Sequence, residues 1–173
     1  MLELERTFLA KSLPAGLKEC RNKEIVALYV PNSSELAKLR IRNVGDFCEI
    51  TKKEMLRGND SSEQEEHTIH LTKEEYAVLS KLPGKRFRKI RYYCSHEGRT
   101  AEIDVYQDNL NGLVLIDFEF KTREEKDAFE MPDFCLAEVT QSKEFAGGFM
   151  AGRTYEQMEE YLKKYGYKKL FLE

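Results

Sequence analysis

The stretch Leu113-Val114-Leu115-Ile116-Asp117-Phe118-Glu119-Phe120 decides how the chain is to be read. Side chains alternate across a β-strand, so Val114, Ile116, Phe118 and Phe120 share one face, and Leu113, Leu115, Asp117 and Glu119 the other. The same pattern recurs along the chain. Glu3 and Glu5 are two apart, as are Arg40 and Arg42, and Lys89 and Arg91, while Glu102, Asp104 and Tyr106 oppose Ile103 and Val105. An ordinary two-faced sheet would explain any one of these strands. Taken together they sort by sign, acids on the first and eighth strands and bases on the third and sixth. A solvated face commonly mixes signs, because adjacent like charges repel for no gain. A closed barrel enclosing these faces would hold a set of carboxylates and a set of cations in one cavity.

Working outward, period-two alternation marks strands at 1–10, 24–30, 37–43, 46–53, 64–71, 87–95, 99–107, 112–121 and 168–172. Asn43-Val44-Gly45-Asp46, Glu97-Gly98 and Asn111-Gly112 supply turns. Helices open at Thr72-Lys73-Glu74-Glu75, Thr122-Arg123-Glu124-Glu125 and Thr154-Tyr155-Glu156-Gln157, each a capping-box pattern. Gly166 stands where the last of them would end. The polar run Arg57-Gly58-Asn59-Asp60-Ser61-Ser62 is too short to separate domains and reads as a strand-to-strand link. The expected fold is one α+β domain over residues 1–173, a largely antiparallel sheet closed into a barrel with a few flanking helices.

Composition narrows the function. Charged residues make up 34% of the 173, yet the formal net charge is only -3. A nucleic-acid binder would carry a clear basic excess. No apolar run approaches the ~20 residues that cross a bilayer. Cys20, Cys48, Cys94 and Cys135 are widely spaced without a CxxC pair, which reads as four reduced, packing cysteines in a cytoplasmic protein. His67 and His70 point to opposite faces of a strand, so a shared metal is not expected of them. Gly147-Gly148 reads as a turn rather than an anion nest, and nearby Lys143 as a cover for one end of the barrel. A lumen with both charge classes suits one ligand type. Guanidinium and ammonium groups offset the many oxygens of a polyphosphate, while carboxylates hold hard divalent cations between themselves and those oxygens.

These segments, in their order, resemble the CYTH family, or triphosphate tunnel metalloenzymes. The residues carrying the resemblance are Glu3-Leu4-Glu5-Arg6-Thr7 for the ExExK signature, Leu39-Arg40-Ile41-Arg42, Glu49-Ile50-Thr51-Lys52, Glu63-Gln64-Glu65-Glu66, Lys89-Ile90-Arg91-Tyr92, Glu102-Ile103-Asp104, Asp117-Phe118-Glu119 and Ala137-Glu138-Val139-Thr140. The resemblance implies an eight-stranded antiparallel tunnel, open at both ends, and hydrolysis of a triphosphate, inorganic tripolyphosphate first. It also leaves room for a nucleoside or thiamine triphosphatase, for an adenylate cyclase, and for a non-catalytic polyphosphate- or nucleotide-binding module. By resemblance, Arg40, Arg42, Lys52, Lys89 and Arg91 would grip phosphates, with Glu66 supporting. Glu3, Glu5, Asp104, Asp117 and Glu119 would hold Mg²⁺ or Mn²⁺, and Glu5, Asp104, Asp117 and Lys89 would form the catalytic set. Thr7 stands where the signature has lysine, and Lys11, of the same parity, is the candidate substitute. Gln64 replaces the first acid of the middle ExE. The implied partner is a small triphosphate-containing molecule, with neither nucleic acid nor membrane, for a monomer or homodimer.

Overall fold

Turn chemistry sets the antiparallel pairing. In the computed structural model, which describes residues 1–56, 58 and 60–172, β3 (Leu39–Val44) and β4 (Phe47–Met55) meet at Val44↔Phe47 across Gly45-Asp46. β6 (Lys85–His96) and β7 (Arg99–Tyr106) meet at His96↔Arg99 across Glu97-Gly98, at φ 49 and 77. Positive φ at both central residues gives a two-residue turn the twist that its flanking strands need. Of the link expected at 57–62, Arg57 and Asn59 lie outside the described residues.

With β1 (Leu2–Ala10), β2 (Arg21–Val30), β5 (Glu63–Leu71), β8 (Val114–Phe120) and β9 (Cys135–Glu138), the strands run in the order β5-β4-β3-β2-β6-β7-β8-β1-β9, and β5 also pairs with β1. The first eight strands therefore close into an antiparallel barrel. The closing seam is short: Leu2↔Glu65, Glu3↔Gln64 and Leu4↔Glu63. Beyond it β1 changes partner, with Val139 N donating to Thr7 O at 2.8 Å and β9 pairing along Phe8–Ala10.

Around the barrel lie α1 (Lys73–Leu79), α2 (Arg123–Asp127), α3 (Gly147–Met150) and α4 (Tyr155–Lys163). Complete capping boxes open α1 at Thr72 and α4 at Thr154. Thr122 caps α2, but the Glu125 carboxylate accepts from Lys121 N instead of closing the box.

Two apolar layers result from the alternation. On the outer face Leu4, Phe8, Ile103, Val105, Ile116 and Phe118 are buried, with Phe129 stacked 4.6 Å from Phe118. At one end of the interior Leu9, Ala27, Tyr29, Phe87, Tyr106 and Leu115 pack with Phe145, Phe149 and Met158. The 143–162 segment thus covers much of that end, where the resemblance implied an open tunnel, and leaves an opening beside the exposed Lys38 and Lys143. Along β1, β6, β7 and β8 the inward positions change from charged to apolar on approaching that end, and apolar side chains there exclude water only if something covers them.

Three further expectations are corrected. Residues 168–172 form no strand. Leu170 N instead donates to Gly112 O, and Leu170 and Leu172 pack on the outer layer. Cys20 and Cys94 are joined by a disulfide with Cα atoms 5.4 Å apart, while Cys48 and Cys135 are free and buried. Wide sequence spacing hid a pair that β6 brings beside the 17–20 segment, so the four cysteines are not all reduced and do not mark a reducing compartment. Gly147-Gly148 is the first turn of α3 rather than a loop turn. Among the described residues no helix is long and apolar enough to cross a membrane.

A Cβ at Gly148 would lie 1.8 Å from the Ala37 carbonyl oxygen, so only glycine lets α3 sit against that backbone. Gly148→Ala is expected to cost at least about 1–3 kcal/mol, read from the urea midpoint. An unchanged midpoint would mean that α3 does not dock there.

Candidate functional site

The register carries side chains of one parity inward all round the barrel. Arg40↔Thr51 and Arg42↔Glu49 align β3 with β4, Lys53↔Glu66 aligns β4 with β5, and Glu5↔Glu119 and Thr7↔Asp117 align β1 with β8. Arg91↔Asp104 aligns β6 with β7. The enclosed cavity measures about 320 Å³, and Glu3, Glu5, Thr7, Arg40, Arg42, Lys53, Glu66, Lys89, Arg91, Asp104, Asp117 and Glu119 all line it. That size suits a small ligand.

The deepest charges form one network. The Arg91 guanidinium reaches Asp104 through Nε (2.7 Å) and Nη2 (2.6 Å), and Asp117 through Nη2 (2.9 Å). It also pairs with Glu102, and Lys89 pairs with Asp104. Thr7 Oγ1 donates to Asp117 Oδ1 at 2.8 Å. Burial raises the Asp104 carboxyl, but Arg91 and Lys89 more than offset this and hold it at about 2. Burial lowers the Lys89 ammonium to about 8 against the pull of Asp104, with Arg91 adding to the decrease. Asp117 is pushed well above the usual carboxylate range by burial and by the nearby Glu5. Charges placed this deep persist only when paired, because removing one partner strands the other without water.

Toward the end of the barrel away from that apolar layer the acids gather. Glu3, Glu5 and Glu119 each offer a carboxylate oxygen, and these oxygens lie within 4.8 Å of one another. Glu5 and Glu119 are direct cross-strand partners, where like charges repel. Burial and the neighbouring Glu5 raise the pKa of both Glu3 and Glu119. The oxygen-only donor set and the crowding of negative charge both fit a hard divalent cation.

The facing wall is cationic. Arg42 Nε donates to Glu49 at 2.5 Å. Lys53 pairs with Glu3, and with Glu66 at 3.6 Å. Arg40 Nη2 is 3.9 Å from Glu66, and the buried Arg40 Nε has no hydrogen-bond partner among the described residues. An orphaned buried donor is costly and calls for an acceptor from outside the chain.

The inward parity places Arg40, Arg42, Lys89, Arg91 and Glu66 in the cavity, with all five acids proposed for metal. Within that set only Glu3, Glu5 and Glu119 converge as a cluster, since Asp104 and Asp117 are taken up by Lys89, Arg91 and Thr7. Two expected cations are elsewhere. Lys52 faces out, its side chain 52% exposed and paired with Glu54 at 3.0 Å, and Lys53 holds the inward place. Lys11 is exposed beyond the end of β1, and its backbone N–H binds Phe134 O, so it does not replace a lysine at position 7. The parity of Glu49, Thr51 and Lys53 carried the signal for Lys53.

A closed antiparallel barrel with carboxylates and cations turned inward defines a triphosphate-tunnel fold. No family model matches the chain. It is 27% identical over 153 residues to a protein named inorganic triphosphatase from Nitrosomonas europaea, across 87% of this chain and 97% of that one. The crystal structure of the inorganic triphosphatase NE1496 superposes with a TM-score of 0.63 at 25% identity, covering 87% of this chain and 94% of that one. A putative adenylate cyclase of Bacillus halodurans shares the fold at a TM-score of 0.56 and 16% identity, over 99% and 93% of the two chains. In sequence and fold the chain is similar to these proteins of the triphosphate-tunnel type.

Glu119→Gln tests the crowding of the acids. The folded-state pKa of Glu119 is raised above 4.5, so its charge destabilises the fold at neutral pH, and stability returns as pH falls through the raised value. The metal-free variant should melt about 2 °C higher than the parent at neutral pH, with a flatter acid-side rise, and should gain less from added Mn²⁺. A lower metal-free melting temperature would contradict the like-charge account.

Proposed function

We propose that this chain is a triphosphatase that hydrolyses inorganic tripolyphosphate inside the barrel. The observation carrying the reading is the enclosed lumen itself. Five cations, Arg40, Arg42, Lys53, Lys89 and Arg91, face a convergent trio of carboxylates, and the buried Nε of Arg40 lacks an acceptor among the described residues. The likeness to a protein named inorganic triphosphatase supports the same reading.

Each part has a role in the chemistry. Arg40, Arg42 and Lys53 would bind phosphoryl oxygens from one wall, where charge-assisted hydrogen bonds are strongest. Lys89 and Arg91, fixed by Asp104 and Asp117, would meet the phosphates from the deep side with little reorganisation as charge develops on the leaving diphosphate. Glu3, Glu5 and Glu119 would hold Mg²⁺ or Mn²⁺, whose contribution is to neutralise charge on the reacting phosphate and to activate water. Asp104 and Asp117 would act by orienting the cations, and Thr7 by orienting Asp117.

Purified protein with tripolyphosphate and Mg²⁺ or Mn²⁺ should release phosphate. No release at any pH from mildly acidic to alkaline would refute the proposal. Lys53→Ala should lower kcat/KM at least about tenfold, because it removes an inward charge-assisted contact. Lys52→Ala, which removes only a surface pair, should stay within about twofold. Equal losses in the two variants would show that the inward parity of β4 is not what binds substrate.

A further inference from the structure

Every lumen cation described above has a carboxylate of the chain within ion-pair distance, Arg40 at the limit. Two further lysines border the same cavity and make no ion pair among the described residues: Lys38 and Lys143. Lys38 shares its parity with Arg40 and Arg42, and continuing the Leu39↔Lys52 register by one pair sets it opposite Lys53. It extends a row of cations outward along one wall. Lys143 opens the 3-10 turn Lys143–Phe145 on the segment that covers the apolar end of the barrel. Both are exposed, so they stand where the cavity meets solvent.

The backbones that carry them are fixed to each other. Lys85 Nζ donates to Ser34 O (2.6 Å), Glu35 O (3.0 Å) and Gly148 O (3.0 Å), using all three of its N–H bonds. Gly148 lies directly against the Ala37 carbonyl. The segment before β3 and the segment around α3 therefore form one unit, with a lysine reaching from each.

We propose that Lys38 and Lys143 form an outer anion subsite, which binds phosphates of a linear polyphosphate beyond those held in the lumen. The inference rests on the proposed function and extends it to longer chains. Ammonium groups on flexible stems act as point charges that follow an anion whose position varies, as successive phosphates of a mobile chain do. An organic triphosphate fits this mouth less well. The aromatic side chains that border the cavity, Tyr29, Phe87, Tyr106 and Phe145, are buried in the covered end and offer no open stacking face beside the lysines.

The test compares the parent with the Lys38→Ala/Lys143→Ala double variant. Long-chain polyphosphate serves as an inhibitor of tripolyphosphate hydrolysis, and the thermal upshift given by each ligand is measured alongside. In the parent, long-chain polyphosphate should bind more tightly than tripolyphosphate. In the double variant that preference should fall at least about fivefold. An equal weakening toward both ligands would mean general electrostatic attraction and would overturn the subsite, as would an unchanged preference. Should the parent fail to hydrolyse tripolyphosphate, the proposed function falls. The upshifts would still decide the subsite, because they need no turnover.

Discussion

Closing a sheet on itself around charge is the constraint from which the rest of this molecule follows. Once β5 pairs with β1, the deepest inward side chains are shut off from bulk water, and each ionised group among them must find a partner inside. Arg91 meets that demand most fully, binding Glu102, Asp104 and Asp117 from three directions. Its pKa is raised well above normal by Asp104, which overcomes the opposing effect of burial. The result is a lumen in which cations are stiff and pre-aimed. What the described residues leave uncompensated is equally specific: a crowded trio of acids that fits a metal, and a buried guanidinium nitrogen without an acceptor among them. Both deficits are of the kind that a metal–phosphate complex removes.

Much of this was legible without coordinates, because strand parity is a two-valued property. Asp117 and Glu119 opposite Phe118 and Phe120, or Arg40 and Arg42 around Ile41, leave little freedom once a barrel is assumed. The same property explains the principal error. In β4 two lysines are adjacent, and a single step exchanges inside for outside. Glu49, Thr51 and Lys53 share the inward face because Arg42 lies opposite Glu49. That is a pairing fact, which no window on β4 alone contains.

Features set by distant contacts were the hardest to read. β9 is four residues long and exists because β1 has an open edge at Phe8–Ala10. The disulfide joins residues 74 apart in sequence. The apolar cover at one end depends on α3 meeting Ala37, a contact that local periodicity does not encode. In each case the sequence holds the necessary residue types, but the pairing is decided by packing elsewhere.

The change of partner along β1 has an evolutionary corollary. Upstream of Glu5 the neighbour on one edge of this strand is β5, a stave of the barrel; from Thr7 onward it is the 135–140 segment, which belongs to a later excursion of the polypeptide. Chemistry and access are therefore inherited on separate lengths of chain. Insertions or exchanges after residue 120 can reshape the doorway while the eight staves, and the charges they aim, keep their alignment.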